Sequence, residues 1–295
     1  MATPDAFWPG GIGADARFDP STAVPTLGAL VAYLGAVRAA RRRDRPWSPT
    51  RTWAFVIGVL LVLLVTQSGI GAVDDVWYSA HMVEHLVLGM AAPMLVALAA
   101  PLTLAARAGS RSTQLTVVEL TRLAPVRFLT RPVVALALFV TAMATSTLPV
   151  VVEAARASGP LHTFLHLHAF LSGLVFASVV LGTDPSSWRT PPFVRVGLVV
   201  VTIPAHALLA IAAMAAGVGL ADAEVLGTER ALADQDLGAA LFWIGGELIG
   251  LTMLAVVAVS WFRSEQRRAR RHDAALDASP EGSPTLLADT GATPR

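Results

Sequence analysis

Apolar residues along this chain fall into long runs separated by short polar joints, not into the alternating or one-sided patterns of elements with a water-facing side. A helical run of roughly 17–25 apolar residues can cross a hydrocarbon core of about 30 Å. Seven runs of this kind stand at about 24–40, 52–69, 78–104, 133–152, 161–181, 194–216 and 237–262. The first is the weakest, being short and interrupted by Arg38. The third is long and carries Pro93 and Pro101, which predict a kink or an early end. The pattern therefore predicts an all-α integral membrane protein, a seven-transmembrane-helix bundle. Around the spanning domain, 24–262, it sets a polar leader, 1–23, and a basic, disordered tail, 263–295.

The arginines orient this bundle. Arg41, Arg42, Arg43, Arg45 and Arg51 join the first two runs, and Arg107, Arg111, Arg122, Arg127 and Arg131 join the third and fourth. Arg189 and Arg195 join the fifth and sixth, and Arg263, Arg267, Arg268, Arg270 and Arg271 follow the seventh. The alternate loops hold only Arg17, Arg156 and Arg230. The positive-inside rule then predicts an N-terminus outside and a C-terminus in the cytoplasm. Within the 3–4 loop, SRSTQLTVVELTRLAPVRF has apolar residues at near-helical spacing between arginines and predicts a short interfacial helix.

Composition agrees with the pattern. Hydrophobic residues make up 54% and charged residues 15%, where a soluble domain is nearer a quarter charged. Mean hydropathy is +0.60. There is no cysteine, which excludes disulfides, thiolate metal sites and attached c-type haem. The opening residues lack the basic and apolar regions of a secretory signal peptide. No phosphate-binding glycine loop, nucleophile elbow, HExxH pair or coherent nucleic-acid surface is present, so neither a hydrolase nor a nucleic-acid partner is expected.

The chemistry lies in the histidines. Six of seven fall in or at the ends of apolar runs: His81, His85, His162, His166, His168 and His206. An ionisable or ligating side chain inside a span is costly and faces a bundle interior or a functional pathway. The predicted orientation brings all six toward the outer side, on three helices at similar depth. His81/His85 and His162/His166 are i,i+4 pairs, each sharing one helix face and able to present two nitrogens to one metal. His168 points away from His166. Imidazole suits Zn, Cu, Fe and Ni, and two histidines on different helices can also ligate a haem. Glu247, roughly 15 Å inside the last run, needs a partner, and a histidine or its metal is a natural one. The candidate ligand set is thus His81, His85, His162, His166, His206 and Glu247. Glu84 lies between the first pair, while Asp74 and Asp75 read as solvated loop residues. Met82, Met90, Met94, Met143 and Met214 are compatible with Cu(I) but form no MxxxM array and read as core filler.

HMVEHLVLGMAAP (81–93), LHTFLHLHAFLSGLVFASVVLGTDP (161–185), PAHALLA (204–210) and GAALFWIGGE (238–247) together resemble the CtaG-type cytochrome c oxidase assembly factors of bacteria, over roughly residues 70–262. Glu84, standing where an amide is expected, and Ala177-Ser178, replacing a bulkier aromatic stretch, depart from the family's pattern. The resemblance implies a multi-pass protein of the bacterial plasma membrane. It further implies a non-enzymatic factor that binds copper and delivers it to oxidase subunits in the same bilayer. Three other readings stay open on the residues alone: a haem-binding membrane cytochrome, a proton-coupled transporter using the same histidines, and a scaffold whose histidines are structural. A second copy of the chain is a further candidate partner. The orientation is tested by impermeant labelling: residues of the 107–131 loop should resist reagent from outside, and their labelling there would reverse the topology.

Overall fold

A computed structural model describes residues 18–277 other than 187, 189 and 218; the outermost parts of the expected leader and tail lie outside the described residues. Among the described residues the chain is helical, with no strand. In chain order the helices are α1 (Pro20–Arg41), α2 (Pro49–Gln67), the single turn α3 (Ile70–Val73) and α4 (Tyr78–Leu86). A π-helical turn, Val87–Ala91, leads into α5 (Ala92–Leu98) and α6 (Pro101–Ala108). Then come α7 (Arg111–Arg122), α8 (Ala124–Leu129), α9 (Pro132–Thr145), α10 (Pro149–Arg156) and α11 (Gly159–Leu181). The chain ends in α12 (Pro192–Ala215), the short α13 (Ala223–Leu226) and α14 (Thr228–Asp277). It divides into two compact units, Met1–Val257 and Ala258–Arg295.

Six helices are long and apolar enough to cross a membrane, with Tyr78–Ala108 taken as one; the bent pair α9 and α10 makes a seventh candidate. Among the described residues the count reaches the expected seven only with that pair taken as one span, and the pair is not the continuous run expected over 133–152. It breaks after Thr145 and bends by 69° between α9 and α10. Thr145, Ser146 and Thr147 turn their hydroxyls back onto the carbonyls of Ala142, Met143 and Ala144, and Pro149 starts the next helix. The amphipathic stretch of the 3–4 loop is helical, as its spacing predicts, over α7 and α8. The last helix departs from expectation at both ends. It begins at Thr228, well before 237, and continues to Asp277 where a disordered tail is expected from 263. Arg, Glu, Gln and Ala are all good helix formers, and Arg268 reaches Glu265 at 2.9 Å one turn away.

The third span is irregular where its prolines predict it. Pro93 has no N–H to offer the Gly89 carbonyl and its ring crowds that oxygen; the chain widens into the π turn just before it. Further along, Ala100 takes a left-handed φ of 50° and the helix restarts at Pro101. Side chains from elsewhere in the bundle repair this second break. Asp184 accepts from the N–H groups of Leu102 (3.1 Å) and Thr103 (2.8 Å) and from the Thr103 hydroxyl (2.6 Å). Thr183 donates its hydroxyl to the Ala97 carbonyl. Tyr33 of α1 donates to the Ala99 carbonyl at 3.0 Å, receives the Trp47 indole N–H at 3.0 Å and stacks on Phe55. Gly182, at φ +58°, ends α11 and delivers this Thr-Asp-Pro segment. The Gly-x-Asp-Pro motif is therefore a helix stop that caps a neighbouring helix.

α11 packs along α5 and the π turn on one side and α9 on the other. The approach is closest at Gly173, where an added Cβ would collide with the carbonyl oxygen of Gly89. Substituting Gly173→Ala should cost about 1–3 kcal/mol by forcing these helices apart. It should show as a lower thermal midpoint in detergent, whereas an unchanged midpoint would mean the contact is not tight.

Candidate metal centre

The two i,i+4 histidine pairs lie on the first turns of α4 and α11, and the packing of these helices sets the pairs against each other. The His81 and His85 rings are 4.4 Å apart, and those of His162 and His166 are 4.3 Å apart. Across the gap His81 lies 6.2 Å from His162, and His85 lies 5.3 Å from His166, edge to face. Four imidazoles expected from spacing alone thus form one cluster. His81 and His85 are buried, His162 and His166 less so.

A second feature anchors α4 in this arrangement. Asp234 of α14, buried, accepts from the Ser79 backbone N–H at 3.2 Å and from the Ser79 hydroxyl. A carboxylate at the first turn of α4 satisfies an orphan donor and complements the helix dipole. Gly238, one turn on, lets α14 lie against Tyr78 and Ser79; a Cβ there would come within 2.6 Å of the Tyr78 ring.

Carboxylates complete the cluster, and here the structure corrects the reading of Asp74 as a solvated loop residue. Asp74 is buried at 5% exposure, because the turn α3 folds it beneath the mouth of α4 and α11. Its Oδ2 lies 2.9 Å from His162 Nε2. His162 Nδ1 lies 3.3 Å from Asp75 Oδ1. His162 Nε2 is also 2.9 Å from His166 Nε2, and His166 Nδ1 is 3.6 Å from the buried Glu84. Asp74, His162 and His166 each turn one ligand atom inward, all within 4.8 Å of one another. Three ligand atoms facing a common point is a geometry in which a cation can be held. The remaining nitrogen of His166 faces Glu84, as a metal-bound imidazole commonly faces a carboxylate. His81 Nε2 and Glu84 Oε2 are buried beside this group without hydrogen-bond partners.

His206 and Glu247 are not among the residues brought together here. His206 is buried at 1% exposure on α12, with Nδ1 2.8 Å from the Thr202 carbonyl and Nε2 3.3 Å from Met90 Sδ. Met90 is five residues beyond His85, so His206 sits about 7 Å deeper rather than in the expected layer. Half-buried Glu247 directs a buried, unpartnered Oε1 into the protein beside Gly246, whose Cα faces the His206 ring. His168 lies against Phe164 and near Ser172, away from the cluster, as its spacing predicts. The sequence carried signals for Asp74 and Glu84, an acidic pair before α4 and a carboxyl between two histidines. Only the fold shows that both face inward.

The family model for the cytochrome c oxidase caa3 assembly factor (Caa3_CtaG) matches residues 31–264. An uncharacterized protein of Mycobacterium bovis is 28% identical over 276 residues, covering 88% of this chain and 41% of its own length. An uncharacterized protein of Mycobacterium leprae is 27% identical over 281 residues, covering 89% of this chain and 42% of its own length. The chain thus spans about two-fifths of the length of the curated relatives it matches. No solved structure matches it. With its six or seven apolar helices and a family match over most of its length, this multi-pass bacterial membrane protein belongs to the cytochrome c oxidase caa3 assembly factor family.

Proposed function

We propose that this protein is a non-catalytic assembly factor that holds copper at the mouth of its bundle and passes it to a cytochrome c oxidase in the same membrane. The observation that carries this reading is the inward convergence of Asp74 Oδ2, His162 Nε2 and His166 Nε2 in a member of an oxidase assembly family. His81 and His85 stand beside these ligands as the next imidazoles a departing ion would meet. Copper is the transition metal of the divalent series that nitrogen and oxygen donors hold most tightly. A site without thiolate grips Cu(I) less firmly than a cysteine pair would, which suits a protein that must release its cargo.

The geometry favours a bare ion over a haem. The His85 and His166 rings touch edge to face, and the cavities beside the cluster measure only about 10 and 20 Å³. A porphyrin needs its two axial rings apart and a broad flat slot between them. By the arginine asymmetry, the mouth faces outward and the basic α7–α8 segment faces the cytoplasm. The leader, spanning domain and tail remain assignments of the sequence pattern, with the tail helical at its start.

The test is copper content of purified protein together with the oxidase copper of cells that carry each variant. His162→Ala/His166→Ala should remove the bound copper and leave the oxidase deficient in copper. Glu84→Gln, which only loses the carboxylate behind His166, should weaken copper binding by about 10–100-fold. His168→Ala should behave as wild type. Normal oxidase in the double variant would defeat the proposal.

A further inference from the structure

His206 makes an unusual contact for a buried histidine. The Thr202 carbonyl, 2.8 Å from Nδ1, can only accept, so Nδ1 carries the proton. A neutral ring then has a bare lone pair on Nε2, and that lone pair faces the thioether sulfur of Met90 at 3.3 Å. Methionine sulfur has no proton to donate. Two acceptors confront each other inside a closed apolar shell, at 1% and 5% exposure, with Phe139 and Phe242 on the ring. Gly246 leaves room for the imidazole, since an added Cβ would run into it.

At 3.3 Å the two atoms are in contact, so a cation shared by them would sit to one side of the line that joins them. Neutral imidazole plus thioether is a soft donor set that selects Cu(I) over harder divalent ions. A monovalent ion on neutral ligands also costs less to bury than a divalent one. Beside Met90 lies a cavity of about 20 Å³, lined by His85, Ser146, Met143 and Phe242 among others. His85 and Ser146 also line a second cavity of about 10 Å³, with His81 and His162. His85 thus stands between the outer cluster and the Met90 side.

We propose that His206 and Met90 form a second, deeper metal site that takes Cu(I), reached from the outer cluster past His85. The proposal rests on the reading that this chain carries copper, and it assigns the inner site a different ligand set from the outer one. Met143 lines the same cavity as Met90 and is a second thioether there.

The experiment uses the full chain in detergent, loaded with Cu(I) under reducing conditions, and reads stoichiometry and metal-edge X-ray absorption. Wild type should show sulfur as well as nitrogen neighbours. Met90→Leu, which conserves volume, should lose the sulfur signal and one equivalent of metal, while Met94→Leu keeps both. A sulfur signal surviving in His162→Ala/His166→Ala would show the inner site loading without the outer one. Copper bound through nitrogen and oxygen alone, unchanged by Met90→Leu, would overturn the inner site and leave the outer centre standing. A protein that binds no Cu(I) in any form would overturn both.

Discussion

Inside a bilayer no water is present to satisfy a broken helix, so each interruption must find its hydrogen bonds within the protein. That constraint organises this fold. The third span is interrupted twice by proline, and the restart at Pro101 is completed by Asp184, Thr183 and Tyr33, drawn from other segments. The groups that repair the backbone are therefore the groups that join the helices. α1 is tied to the bundle through Tyr33 and Trp47, and the end of α11 is tied through Thr183 and Asp184.

The histidine cluster inherits its precision from these ties. α4 and α11 can present paired histidines only if their first turns stay in register. Register is set by the Gly89–Gly173 approach in the middle of the helices and by Asp234 holding Ser79 at the mouth. The π turn begins just past His85 and carries Met90 itself, and its wider winding rotates α5 relative to α4. An uninterrupted α-helix would aim Met90 differently. The irregularity that Pro93 imposes is in this sense what brings a thioether opposite His206.

Most of this architecture was legible in the residues. Long apolar runs marked the approximate place of the candidate crossings, and i,i+4 spacing placed His81 with His85 and His162 with His166. What spacing could not tell is which faces meet. Asp74 reads as a solvated loop carboxylate until α3 is seen to fold it inward. His206 looks level with the other histidines when depth is counted from helix ends, because no count can anticipate which side chain of the third span it opposes. The fourth span looked continuous because Ser146, Thr147 and Pro149 sit in an apolar run. Hydroxyls that bond their own preceding carbonyls end a helix without any polar signature strong enough to read. The end of α14 was missed for the opposite reason: charge suggested disorder where helix propensity prevailed.

The break after Thr145 also bears on the lipid. α9 has 14 residues and so reaches about 21 Å, against a hydrocarbon thickness of about 30 Å. Beyond it α10 turns away by 69°. A bilayer that meets α9 meets a short apolar wall, and mismatch of that kind costs fractions of a kcal/mol per Å. The two cavities lined by Ser146 lie at this same level. Ser146, which ends α9 and lines both cavities, is therefore the point at which the short apolar wall and the histidine cluster meet.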